Sequence, residues 1–479
     1  MSSVGDVMLC ELENADHVLD RGLDVYNPFS GNKVGTVQRS TASDIETIIS
    51  EASRYRVSLS RRDRISILSR TADILKEQAA EIATLISRES GLCLKDTLYE
   101  VDRAVDVSTF AAHRCSSTAG EIHSASVGKS GSLRNIYATR VPERGIIAAI
   151  SPFNHPLNTV AHKVIPAVAT NNRVILKPSE LTPLSAFRFR DILIEAGLPP
   201  EMFHVVVGDA SLIGDIFVSH PSIGVFTFTG SVNVGKALSQ KVQYKKSLFE
   251  LGGNDPFIVM EDADVDKAAD LIVAGATKNS GQRCTAIKRV LAVQSISDRL
   301  AEAVSNKTSR LRVGDPLDPD TDMGTLISEA AARKIADRIE DATRRGARIL
   351  FGGERNGALL HPVVLDNVPF DCPLVREETF GPVIPIIRCP DNIEDVIAIA
   401  NSTEFGLSSG VSTKRLDYIS RFIAELDVGN VNIDEVPGFR IETTPFGGIK
   451  DSGLGQKEGI DEAMKFYTTI KTYSLPIGI

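Results

Sequence analysis

The chain reads as an α/β protein built on parallel sheets with crossover helices, and three features of the sequence predict that class. From about residue 145, short β-rich runs alternate with helical stretches, the pattern of strands joined by crossover helices. After Glu250 a second stretch of the same alternation begins. Before about Ala119 the pattern is helical, with apolar residues at helical spacing among charges.

In order along the chain, residues 62–88 place Ile65, Leu68, Ala72 and Leu75 on one helical face, and two long amphipathic helices are expected through about Ala119. Residues 145–150, 173–177, 203–208 and 225–230 are apolar runs of strand length. Between them lie helical patterns at 184–196, stopped by Gly197, and 212–219, stopped before Pro221. Beyond Glu250 a helix is expected over 265–279, leading into Cys284. A strand at 290–293, a helix around 330–345 and a strand at 348–351 follow, with no internal repeat or low-complexity linker.

With 479 residues, 42% of them hydrophobic, the chain can bury large cores, and its length suggests roughly three domains. Its 53 basic and 62 acidic residues leave a formal charge of -9 without long single-sign runs, which argues against a nucleic-acid partner. Six cysteines (10, 93, 115, 284, 372 and 389) stand singly, so no C-x-x-C pair suggests zinc or a redox dithiol, and no metal is expected. The first residues lack a basic start followed by a long apolar stretch. No apolar run approaches the ~20 residues of a membrane span, and a reducing cytoplasm is the expected location.

Three residues carry the chemistry. Cys284, in Asn279-Ser-Gly-Gln-Arg-Cys-Thr285, offers a thiol nucleophile, Glu250 in Phe249-Glu-Leu-Gly-Gly253 a carboxylate base, and Asn154 in Ser151-Pro-Phe-Asn-His155 a side-chain amide. Attack on a carbonyl and stabilisation of the resulting oxyanion need those groups and no metal. Gly230-Ser-Val-Asn-Val-Gly-Lys236 matches a P-loop, but Ala237 stands where a nucleoside triphosphatase needs Ser or Thr for magnesium. The same turn at a helix N-terminus suits a dinucleotide pyrophosphate. Lys177-Pro-Ser-Glu180 closes a strand, where a carboxylate pairs with ribose hydroxyls and repels a 2′-phosphate.

Ser151-Pro-Phe-Asn-His-Pro156, Lys177-Pro-Ser-Glu180, Phe228-Thr-Gly-Ser231, Glu250-Leu-Gly-Gly253, Gly281-Gln-Arg-Cys284, Glu377-Glu-Thr-Phe-Gly-Pro382 and Pro445-Phe-Gly-Gly-Ile-Lys450 occur in that order. Over essentially its whole length the chain resembles the NAD(P)-dependent aldehyde dehydrogenase superfamily. The resemblance implies that Cys284 is the nucleophile, that Glu250 activates the hydrolytic water, and that Asn154 with the Cys284 amide forms the oxyanion hole. It puts the adenosine ribose on Lys177 and Glu180, the pyrophosphate on Ser231 and the nicotinamide ribose on Glu378, with Phe380 nearby. Ser151, Phe153, Ser179, Gly230 and Leu251 complete the implied cofactor set. NAD is the expected cofactor, NADP less so.

The resemblance further implies two doubly wound Rossmann-like domains and a small β flap. The cofactor domain would comprise residues 1–119 and 144–250, the catalytic domain 251–430, and the flap 120–143 and 455–479, giving a homodimer or homotetramer. Four positions add cationic or hydrogen-bonding capacity to the implied substrate pocket: Arg283 before the nucleophile, His155 where an aromatic often follows the oxyanion asparagine, Arg440, and Arg103 on an N-terminal helix. Clustered arginines repel one another unless an anion joins them. In this respect the chain is similar to phosphonoacetaldehyde dehydrogenases, then to non-phosphorylating glyceraldehyde-3-phosphate dehydrogenase or to lactaldehyde and sulfo-aldehyde dehydrogenases. A CoA-acylating relative would commonly lack the carboxylate at position 250. A P-loop nucleotidase and a non-catalytic scaffold are the readings from other classes.

Overall fold

The computed structural model describes residues 21–56, 59–117, 120–129 and 133–476; the expectations for the first 20 residues, Cys10 and the helix end at Ala119 lie outside them. Ile146–Ile150 is the middle strand of a five-stranded parallel sheet, ordered Phe203–Val205, Val174–Lys177, Ile146–Ile150, Ile223–Thr229, Lys246–Glu250. Ile147, Ala149 and Leu176 join the core on one face, while Ile146, Ala148 and Ile175 join the core on the other. Burial on both faces explains why these runs are continuously apolar instead of alternating.

The chain builds from the middle strand to one edge, then crosses to the other side. The loops after Ile146–Ile150 and Ile223–Thr229 therefore diverge, and such a switch point opens a crevice at the carboxyl ends of the strands. Asn154 follows the first of these strands and Gly230 with Ser231 follows the second. Glu250 ends the neighbouring edge strand.

A second sheet of seven strands runs Arg348–Phe351, Val363–Asp366, Val383–Cys389, Arg289–Val293, Pro256–Val259, Ser408–Ser412, Asn430–Ile433. All its pairings are parallel except that of the edge strand Arg348–Phe351. Cys284 precedes Arg289–Val293, so the thiol sits at the amino ends of this sheet while Glu250 sits at a carboxyl end of the other. Glu121–Ser124, Arg134–Pro142 and Thr468–Pro476 form a separate antiparallel sheet of mostly exposed residues. No helix among the described residues is long and apolar enough to cross a membrane.

Several local expectations change. The N-terminal region holds three helices where two were expected, Arg61–Glu77, Ala79–Ser90 and Leu94–Ser117, besides the earlier Ala42–Arg54. Gln78 (φ -109, ψ 16) breaks the first junction, and Gly91 in the left-handed region (φ 77) ends the second helix. Ala42–Arg54 starts at a reciprocal capping box of Thr41 and Asp44. The strand expected over 203–208 ends at Val205, because Val207 turns its carbonyl to the Ser40 amide. The helix expected through 279 ends at Thr277, for reasons that belong to the site.

Candidate active site

The loop that presents Cys284 is held by contacts the helical pattern could not reveal. Asn279 and Ser280 both take left-handed backbone (φ 55 and 54), followed by Gly281 at φ 69. Asp96 Oδ2 accepts the Asn279 amide at 2.8 Å, the Asn279 side chain donates to the Asn154 carbonyl at 3.0 Å, and Ser280 Oγ donates to the Gly324 carbonyl at 3.2 Å. A Cβ on Gly281 would lie 2.2 Å from the Gly381 backbone, so only glycine fits the crossing. Asn154 Nδ2 in turn donates to the Gln282 carbonyl at 2.8 Å, which brings the amide expected in the oxyanion hole to within two residues of the thiol. Non-glycine residues in left-handed backbone persist only where surroundings over-determine them, and they cluster at functional sites.

Cys284 is partly accessible, whereas Cys93, Cys115, Cys372 and Cys389 are buried. Burial, with the nearby Asp255 and Glu378 carboxylates, pushes the Cys284 thiol up to about 11, against the pull of Lys288 and Arg440. Glu250 is 4% exposed, and neither carboxylate oxygen has a hydrogen-bond partner. Burial and the neighbouring Glu458 raise it well above the usual carboxylate range, opposed by Lys163, Arg440 and Lys457. Glu458 is itself ion-paired to the buried Lys163 at 3.1 Å, whose ammonium also donates to Thr227 Oγ1. A Cβ on Gly447 would stand 2.6 Å from Glu250 Oε1, so glycine there leaves room for the carboxylate. Arg440 lies within electrostatic reach of both Cys284 and Glu250.

The residues expected to hold a dinucleotide line the crevice. Ser231 caps the helix Val232–Lys241 without a hydrogen bond from its own side chain, leaving its hydroxyl and the helix N-terminus for a phosphate. The P-loop-like Lys236 is instead ion-paired to Asp451 at 2.6 Å. Gly230 lies against the Phe228 ring, and Gly235 leaves room for Leu251, since a Cβ there would approach Leu251 Cδ2 to 2.4 Å. Lys177 is buried and donates to the Pro178 carbonyl; Ser179 Oγ accepts the Leu181 amide. Ser151 Oγ and Glu180 Oε1 are buried without a partner, orphaned polar atoms of the kind that ribose and amide groups satisfy. Glu378 Oε1 accepts the Gly253 amide at 3.1 Å, and Phe380 meets Phe153 edge to face at 5.9 Å. These residues fit a nicotinamide dinucleotide. Among the described residues, no group of three or more His, Cys, Asp or Glu could hold a metal.

The four pocket candidates separate. Arg283 is 9% exposed, with Nη2 packed where a Cβ on Gly438 would come within 2.4 Å. Arg440 Cζ stacks 4.0 Å above the Phe446 ring, and its Nη1 is buried without an acceptor. Neither guanidinium pairs with a carboxylate among the described residues. Arg103 is different and corrects the expectation of an unpaired cation: its Nε reaches Glu442 Oε1 at 2.5 Å and its Nη2 reaches Oε2 at 3.2 Å. His155 Nδ1 is 3.7 Å from Glu100 and near the Asn279 side chain; burial first, then Arg103 and Arg283, lower its pKa despite Glu100.

Sequence reasoning missed Glu442, His162, Lys163, Glu458 and Lys278. Lys278 sits 3.3 Å over the Tyr99 ring, pushed down to about 8 by burial and by Arg283. A glutamate two positions after Arg440 was visible, but its partner lies 339 residues away, beyond any pattern of spacing.

The aldehyde dehydrogenase family model matches residues 15–473. The chain is 33% identical to a 3-sulfolactaldehyde dehydrogenase of Priestia megaterium, over 93% of each chain. It is 36% identical to an NADP-dependent glyceraldehyde-3-phosphate dehydrogenase of Streptococcus equinus, over 94% of each. The crystal structure of a glyceraldehyde-3-phosphate dehydrogenase from Methanocaldococcus jannaschii complexed with NADP superposes with a TM-score of 0.91 at 34% identity, covering 96% of this chain and all of that one. With its sequence matched along nearly its whole length and its fold superposing on those relatives, this chain belongs to the aldehyde dehydrogenase family and is an oxidoreductase of aldehydes that uses a nicotinamide cofactor.

Proposed function

We propose that the enzyme oxidises a small anionic aldehyde to the carboxylic acid, with Cys284 as nucleophile, Glu250 as base and Asn154 as oxyanion donor. The observation that carries this reading is the buried Arg283 and the half-buried Arg440, whose Nη1 is enclosed without an acceptor, both within electrostatic reach of Cys284 and neither salt-bridged to a carboxylate among the described residues. Buried cations left unpaired are costly, and an anionic head group would complete them.

The steps follow from the groups present. The Cys284 thiolate adds to the aldehyde carbon, and the alkoxide of the thiohemiacetal is held by Asn154 Nδ2 and the Cys284 amide. Glu378 and Phe380 would hold the nicotinamide end of the cofactor, which would supply the hydride acceptor for the oxidation when bound. Glu250, held well above the usual carboxylate range by burial and Glu458, takes a proton from the water that hydrolyses the thioester. Retention of this carboxylate favours hydrolysis over acyl transfer to a thiol.

For the substrate, the names of the relatives favour a sulfonated or phosphorylated hydroxyaldehyde over the phosphono-aldehyde to which the pocket substitutions pointed. NAD is favoured over NADP by Glu180, although the NADP-dependent relatives argue for measuring both. We assign cofactor binding to the five-stranded unit, catalysis to the seven-stranded unit, and oligomerisation to the antiparallel sheet. The test is a panel of purified aldehydes varying in anion and carbon count, assayed with NAD and with NADP. Higher efficiency with an uncharged aldehyde than with every anionic one would overturn the reading.

A further inference from the structure

Arg103 and Glu442 form an enclosed ion pair within electrostatic reach of Arg283 and Arg440. Their side chains are 13% and 4% exposed, and the carboxylate accepts from Nε and Nη2 of the guanidinium. Glu442 Oε2 is also hydrogen-bonded to His162 Nε2, whose ring is buried in the helix Asn158–Ala169. Burial would raise the Glu442 pKa, but His162, Arg103 and Arg440 outweigh it and hold the group well below the usual carboxylate range. The carboxylate is therefore held in its ionised form, and Arg103 is matched by it. Arg283 and Arg440 form no salt bridge among the described residues, and Arg440 feels Glu442 and Glu458 only across space, with its Nη1 buried without an acceptor.

We propose that Glu442 is the specificity-determining residue for substrate charge: by clasping Arg103 it withdraws one cation from the anion site, so that Arg283 and Arg440 receive a monoanionic head group, such as a sulfonate, in preference to a dianionic one. This rests on the anionic-aldehyde reading above. A pocket discriminates as much by the charge it withholds as by the charge it offers. His162 is a positioning residue here. It fixes the second carboxylate oxygen, so that both edges of Glu442 are committed and the Arg103 guanidinium cannot swing toward the substrate.

Sulfoacetaldehyde and phosphonoacetaldehyde differ chiefly by one charge on a tetrahedral head group when the phosphonate is fully ionised, so the ratio of their kcat/KM values at mildly alkaline pH reads the site directly. Glu442→Gln keeps the shape and a hydrogen-bond capacity while releasing Arg103, and should raise the phosphono-to-sulfo ratio about tenfold. In the Arg103→Met, Glu442→Gln double variant, which removes the pair as a neutral unit, the ratio should return to within about threefold of the wild-type value. An unchanged ratio in Glu442→Gln, or one that stays elevated in the double variant, overturns the proposal.

Should Glu442→Gln fail to fold, the double variant decides alone. A fall in sulfoacetaldehyde efficiency as large as that of Arg283→Met, each taken relative to an uncharged aldehyde, would mean that Arg103 grips the head group and that Glu442 withholds nothing; a smaller fall supports the proposal. Failure of the parent reading looks different: Arg283→Met would then depress charged and uncharged aldehydes alike.

Discussion

Replacing Arg283 by Met removes a charge and keeps most of the bulk that packs against Gly438. A guanidinium and an anion about 4 Å apart attract by about 4 kcal/mol at an effective dielectric constant of about 20. At 9% exposure, water screens Arg283 little. Desolvation of the substrate anion offsets roughly half of the attraction, which leaves about 2 kcal/mol, or about 30-fold in kcat/KM. The assay compares sulfoacetaldehyde with its uncharged isostere tert-butylacetaldehyde, following cofactor reduction. The expected result is a loss of about 30-fold for the anion and less than about threefold for the isostere. Equal losses for the two would mean that Arg283 supports the loop carrying Cys284 and does not bind the head group.

Gly438→Ala should act in the same direction from the other side, because the added methyl would stand 2.4 Å from Arg283 Nη2 and displace the flexible guanidinium while the fold is kept; about tenfold lower kcat/KM for the anion with an unchanged melting temperature is expected, and no change for the anion would mean the guanidinium has room to spare. With its pKa near 11, Cys284 in the cofactor-free enzyme is on the order of 0.1% thiolate at pH 8, so alkylation by iodoacetamide should quicken almost tenfold per pH unit between about pH 7 and 10, whereas a plateau below about pH 9 would show an activated thiol. Glu250→Gln should give a burst of about one reduced cofactor per site and then stall, since acylation precedes the need for activated water; steady turnover at the wild-type rate would remove Glu250 from deacylation. Glu180→Gln should narrow a preference for NAD over NADP, measured as the ratio of kcat/KM values, and an unchanged ratio would place the adenosine ribose away from this carboxylate.

Much of this protein was legible in the order of its residues. The run 146–150 is apolar at every position, and 174–177 and 223–229 are mostly so without a polar alternation, a pattern that strands covered on both faces need, so the parallel sheet could be read directly. Cys284, Glu250 and Asn154 stood out because carbonyl chemistry needs a thiol, a base and an amide. Helix breaks were less legible: Gly91 carried a stop signal, whereas Gln78, an ordinary helix former, carries none.

What the tertiary structure alone decided is the charge state of the pocket. Four basic or imidazole side chains could be named from the sequence, but whether each meets a carboxylate depends on residues hundreds of positions away. Glu442 claims Arg103, Glu100 approaches His155, and Arg283 and Arg440 form no salt bridge with a carboxylate among the described residues. The same holds for Asn279 and Ser280, where local periodicity favoured a continuing helix and hydrogen bonds to Asp96, Asn154 and Gly324 imposed left-handed backbone instead. Sequence records local preference and composition; electrostatic pairing and loop conformation are properties of what the fold brings together, because a charge is neutralised by whatever lies within a few ångströms of it, not by its neighbours in the chain.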